Sequence, residues 1–211
     1  MPNLPISSLP ELTALTSNTE FSVEESGTTY KVKNSTLSPF PTVFGLFAQT
    51  ANSVTISATT VQSTLINGGV GTLTVPANGF RAGDSFRADF GGVMSAKNND
   101  TIRVRVKSGS VILSDTGALT MPGIINQVWL LSINFTIRSI GGTGVASIVT
   151  LGNLHILKLA GGTQEGYGFN TVNNTTFNTT ISNTLDVTAE FSSTSAQNSI
   201  YSDIFILNKI Y

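Results

Sequence analysis

From Val43 to the C-terminus, apolar and polar residues alternate with a period of two. That period marks strands with one dry face and one wet face, because successive Cβ atoms point to opposite sides. Phe86, Ala88 and Phe90 share one face, while Ser85, Arg87 and Asp89 share the other. Ile102, Val104 and Val106 alternate with Arg103, Arg105 and Lys107. Leu131, Ile133, Phe135 and Ile137 alternate with Ser132, Asn134, Thr136 and Arg138, and Leu185, Val187, Ala189 and Phe191 with Asp186, Thr188 and Glu190. Turn residues punctuate these runs at Ala82-Gly83-Asp84, Asn98-Asn99-Asp100, Ser108-Gly109, Gly141-Gly142 and Ala160-Gly161-Gly162. No segment carries a helical period. The pattern predicts about eight to ten strands in an all-β, antiparallel two-sheet sandwich, for which a jelly roll is a common arrangement.

Composition agrees. Only 11% of the 211 residues are charged, against about a quarter in an ordinary soluble domain. Thr, Ser, Asn and Gly carry the polarity, which favours strands and tight turns. A chain this long buries roughly 70% of its unfolded surface, enough for one full core. Net charge is −1, so charge gives no reason to expect nucleic acid or a membrane as partner. There is no cysteine, which excludes disulfides and Cys-based zinc sites. No run approaches a membrane span. Met1 to Leu15 has no Lys or Arg, so no secretory leader is expected.

The first forty residues read differently. Pro2, Pro5 and Pro10 predict an extended stretch without helix. Phe21 and Val23, a Ser26-Gly27 turn, then Tyr30 and Val32 predict a small hairpin. Pro39 and Pro41 close a linker. The division expected is 1–41 for an arm and linker and 42–211 for a head. An isolated hairpin is marginal in water, so the arm is expected to order against something else.

Two runs break the one-dry-face rule. Val43-Phe44-Gly45-Leu46-Phe47 is apolar on both faces. In the C-terminal run, Ile204, Ile206 and Ile210 face one way and Tyr201, Phe205, Leu207 and Tyr211 the other. Either loops or the arm cover these strands, or they line a subunit interface. The interface reading selects Phe44, Phe47, Ile204, Phe205 and Ile206 at subunit contacts or in the core beside them.

Chemistry is sparse. The single histidine, His155, lies in a strand-like run without a nucleophile or orienting acid in sequence. One His and no Cys do not make a zinc site. The glycine clusters complete no G-x-G-x-x-G and open no helix, so they read as turns. No catalytic residue, metal or cofactor is expected. Arg103, Arg105 and Lys107 line one strand face, either as solvated charge or as a patch for an acidic partner. Gly161 to Thr184 reads as a long polar loop dotted with Tyr167, Phe169 and Phe177. These aromatics either stack on sugar rings or plug the end of the sandwich.

Ile6-Ser7-Ser8-Leu9-Pro10-Glu11-Leu12, with Phe21-Ser22-Val23 and Thr28-Thr29-Tyr30-Lys31-Val32, resembles the N-terminal attachment segment of tailed-phage virion proteins. Gly71 to Asn78, Ala82 to Phe86, Gly166 to Asn170, Asn173 to Phe177 and Ile204 to Leu207 resemble the jelly-roll heads of phage and large-virus surface proteins. Such heads are similar to tumour-necrosis-factor-like trimers, and the likeness spans nearly the whole chain. It implies a non-enzymatic virion protein at the particle surface, made in the host cytoplasm. Implied partners are a homotrimer, other capsid or tail proteins and a host-surface glycan. Ile6, Leu9, Leu12, Phe21, Val23, Tyr30 and Val32 would form the attachment arm. A short arm joined directly to a head, without shaft repeats, favours a capsid decoration or cement protein. The alternative is a tail-fibre or spike head that binds a host receptor or glycan; a third reading, a free carbohydrate-binding module, has little use for an acidic, Pro-rich N-terminus.

Overall fold

In a computed structural model of the chain, the described residues are 20–26, 28–33, 44–158 and 164–211. The chain divides into two compact units, Met1–Thr42 and Val43–Tyr211. In the first, β1 (Glu20–Glu25) pairs antiparallel with β2 (Thr28–Lys33), setting Phe21 opposite Val32 and Val23 opposite Tyr30. Ser26 makes the turn at φ 53°. Ile6, Leu9, Leu12 and the linker at 34–41 lie outside the described residues.

The second unit contains β3 (Phe44–Gln49), β4 (Ile56–Ser57), β5 (Ser63–Thr64), β6 (Gly69–Gly71), β7 (Thr74–Val75), β8 (Ser85–Ala96), β9 (Thr101–Ser108), β10 (Val111–Asp115), β11 (Leu119–Thr120), β12 (Ile124–Ile140), β13 (Val145–Leu157), β14 (Gln164–Asn178), β15 (Asn183–Phe191) and β16 (Ser199–Lys209). No helix occurs among the described residues. One sheet has eight strands in the order β14-β13-β12-β8-β16-β3-β6, with β4 beside β16. The other has six, in the order β10-β9-β15-β5, with β11 beside β9 and β7 beside β15. All pairings are antiparallel.

The inner faces of both sheets feed one core. Phe86, Ala88 and Phe90 of β8 and Leu131, Ile133, Phe135 and Ile137 of β12 are buried, as are Ile102, Val104 and Val106 of β9 and the apolar set of β15. The turns also fall where their residues predict: Gly83, Asn99 and Gly109 adopt φ of 97°, 67° and 57°.

Two segments differ from the sequence reading. The expected long loop after Gly161 is the fifteen-residue strand β14. Its inward positions, Glu165, Tyr167, Phe169, Thr171 and Asn173, are only half-buried, because β14 is an edge strand. It therefore never needed an apolar period. The second difference is a bulge in β16. Ser202 pairs with Gly92 but Ile204 pairs with Gly91, so Asp203 is an extra residue. The bulge reverses the facing of everything before it and puts Tyr201 on the same side as Ile204 and Ile206 rather than with Phe205. It also needs Gly92: a Cβ there would stand 2.0 Å from the Tyr201 carbonyl oxygen.

Among the described residues, one buried side-chain polar atom is left over. Thr150 on β13 is 0% exposed, and its Oγ1 has no hydrogen-bond partner among the described residues. A buried hydroxyl without a partner costs about 1–3 kcal/mol. Thr150→Val keeps the branched shape and removes that cost. It should raise the free energy of unfolding by about 1 kcal/mol in urea titration.

Candidate interaction surface

The outer face of the eight-stranded sheet is laid out in cross-strand rows. His155, Leu130, Gly91 and Ile204 lie side by side across β13, β12, β8 and β16. The next row holds Val128, Val93 and Tyr201. Leu130 is 50% exposed, Ile204 49% and Val128 46%. Gly91 sits between the first two: a Cβ there would lie 3.0 Å from Leu130 Cδ2 and 3.3 Å from Ile204 Cγ2. The glycine lets both side chains close over the strand, giving a low, continuous apolar strip. The β16 bulge completes it, because Tyr201 reaches this face only through the extra residue.

The strip borders a polar row that satisfies itself. Arg87 Nε donates to Asp89 Oδ2 at 2.8 Å, and Ser132 Oγ donates to Asp89 Oδ1 at 2.8 Å. Further along, Leu151 and Val172 are also exposed on this side of β13 and β14.

The outer face of the six-stranded sheet is charged but closed. Arg103 binds Asp115, Arg105 binds Glu190, and Arg105 also lies 3.4 Å from Asp115. The Arg105 side chain is only 10% exposed. Lys107 stands opposite Asp186 in the register. The row read from sequence as a basic patch is thus largely neutralised from neighbouring strands, which leaves little field for an acidic partner.

The other sequence candidates scatter. Phe47 and Phe205 are core residues at 7% and 0% exposure. Phe205 stacks on Phe90 with ring centroids 3.9 Å apart, and Phe47 tilts against it at 5.5 Å. Ile204 and Ile206 are on the outer face, with Ile206 half-buried. Phe44 occupies a β3 position whose side chain is outside the description. Of the aromatics read as sugar-stacking candidates, Phe177 is 2% exposed and packs edge-on against Phe80, so no sugar can reach its ring. Tyr167 and Phe169 are half-buried against the core. In the arm, Tyr30 is 50% exposed. The cross-strand neighbours of His155 are Leu130 and Gly166, neither able to orient an imidazole or take its proton. No group of three or more His, Asp or Glu converges as a metal site among the described residues.

Sequence reasoning missed Val128, Leu130 and Val93. The signal was present in Val128-Trp129-Leu130-Leu131, which is apolar on both faces just as the C-terminal run is. No family model, curated protein or solved structure matches the chain.

Two carboxylates have their pKa held below the usual range. Hydrogen bonds from Ser193 and Asn198 lower Asp100, and the Arg103 hydrogen bond lowers Asp115, helped by the Gly117 N–H and the Arg charges. In the unfolded chain each titrates near about 3.9. The unfolded state then binds more protons than the native state around that pH, so stability falls on acidification. Unfolding free energy should be flat from neutrality to about pH 5 and drop as pH passes below about 4 through the native values. Asp115→Asn should be less stable at pH 7 and should shrink the acid-side drop measured by urea titration across pH.

Proposed function

We propose that the chain is a non-enzymatic virion structural protein of the capsid decoration or cement type. In this reading the 43–211 unit is a jelly-roll head that assembles as a homotrimer, and the N-terminal segment attaches it to the particle. The observation that carries the assembly part is the apolar strip of Val128, Leu130, Ile204 and Tyr201 around Gly91. Burying the exposed half of a Leu or Ile contributes on the order of 1 kcal/mol. The bordering Arg87 and Asp89 are already paired, so covering them demands no charge from a partner. A surface that is mainly apolar, with its nearest ion pair closed on itself and Asp203 as the one bulge charge beside it, suits another copy of itself around a closed axis.

The strand order supports the jelly-roll part. Neighbours β3-β16-β8-β12 in one sheet face β10-β9-β15-β5 in the other. The chain changes sheet repeatedly, including between β8 and β9, between β11 and β12, between β14 and β15, and between β15 and β16. That alternation is what two nested Greek keys require. The β13–β14 hairpin then extends the larger sheet beyond β12. The virion assignment rests on the sequence resemblance, with the β1–β2 hairpin as the candidate attachment element.

A decoration protein binds the assembled shell and not its dispersed subunits, so it adds RT ln(1 + [L]/Kd) per site, a few kcal/mol when ligand greatly exceeds Kd. Particles carrying the protein should therefore release their genome at a higher temperature than particles without it. A version beginning near Pro41 should fold but fail to join particles. Unchanged heat release together with lost adsorption to host cells would reject cement and leave the spike-head reading.

A further inference from the structure

The sandwich interior is incompletely filled at one end. A pocket of about 60 Å³, partly open to the surface, runs in between the sheets, with Phe80, Phe86, Phe135, Phe177, Leu113 and Leu185 forming its inner wall. Its wall is aromatic. Phe86 stacks on Phe135 with centroids 4.9 Å apart, and Phe80 meets Phe86 and Phe177 edge-on at 6.0 and 5.4 Å. Three residues of this lining keep some exposure, Phe80 8%, Leu185 7% and Phe135 6%, while Leu131, Ile133 and Val187 keep 1% or less.

The polar atoms beside the cavity are already engaged. Ser108 Oγ donates to Asn183 Oδ1 at 2.9 Å. Asn183 Nδ2 donates to the carbonyls of Asn178 and Ile181 at 2.8 and 2.9 Å. The Thr74 and Thr184 hydroxyls bond each other at 2.7 Å. A buried water needs two to four polar partners and roughly 10–15 Å³. This space has the room and lacks the partners to hold an ordered water, which favours an apolar guest.

The outer side of the pocket is lined by Thr72 to Val75, which are exposed or half-buried. β6 belongs to the eight-stranded sheet through β3, and β7 to the six-stranded sheet through β15. Thr72 and Leu73 therefore cross from one sheet to the other beside the cavity. They are held by Thr72 N–H donating to the Leu46 carbonyl at 2.7 Å and Leu185 N–H donating to the Leu73 carbonyl at 3.0 Å. Leu73 is half-buried, not locked in the core.

We propose that this cavity is a binding site for a small, slender apolar ligand, from a xenon atom to the end of a short alkyl chain, admitted beside Leu73. The narrow inner end admits only a slender group, with any remainder left toward the opening, and the satisfied lining disfavours polar ones. The test is methyl NMR on the full chain, titrated separately with xenon and with n-pentane. Saturable shifts confined to the methyls of Leu73, Val75, Leu113 and Leu185 are expected with both probes. Leu113→Phe should fill the space and abolish them. Should that variant fail to fold, Leu185→Met should weaken binding several-fold. Shifts that grow linearly and spread over surface methyls, or that persist unchanged in a folded filled variant, would overturn the site. Saturation with xenon but no response to n-pentane would overturn the alkyl-chain assignment.

Discussion

Phe90 and Phe205 stack ring on ring at the centre of the larger sheet, where β8 meets the C-terminal strand β16. This contact joins segments more than a hundred residues apart in sequence and fixes the register of the two strands. The rings lie nearly parallel, 9° apart, and bury each other's faces. The larger consequence of the contact is geometric. With Phe205 pinned inward, the bulge at Asp203 is the only way for Ser202 and Ile200 to stay buried while Tyr201 turns out. The same pairing thus sets the core on one side and the apolar strip on the other. Gly91 and Gly92 serve the two sides in turn, one leaving space for Leu130 and Ile204, the other for the bulged backbone.

The two outer faces solve the shortage of charge differently. On the smaller sheet, Arg103, Arg105, Asp115 and Glu190 form a closed network across β9, β10 and β15. On the larger sheet, the Arg87–Asp89 pair neutralises itself, exposed Arg138 and Asp203 stand apart from it, and apolar rows occupy the ground between. Exposed apolar residues scattered singly need no explanation, but contiguous ones mark contact surfaces. Hence the asymmetry between the faces, more than the fold itself, is what points to assembly.

The alternating strands were legible in the sequence because each has a fully dry side: the inward residues of β8, β9, β12 and β15 were identified residue by residue. Illegible parts have local physical causes. At β14 an edge position halves the burial of inward residues, so Thr and Asn serve where Val and Ile would otherwise stand. For β16 the single extra residue at Asp203 inverts the facing, which a strict period of two cannot anticipate. The apolar strip was half legible. Its β16 members stood out as apolar on a second face, while Val128 and Leu130 were hidden beside Trp129 and Leu131 in a run that reads simply as core. Phe47 and Phe205 drew attention for the same two-sided pattern, yet their own faces are turned inward.

The central claim is that the apolar strip on the eight-stranded sheet is a contact between copies. Light scattering on the purified full chain at micromolar concentration tests it, run alongside Leu130→Asp and Ile204→Asp. Both substitutions replace half-exposed side chains and leave the inner face untouched. The account predicts three times the chain mass for the wild type and a folded monomer for each variant. A wild-type monomer, or a trimer that survives both substitutions, would contradict it.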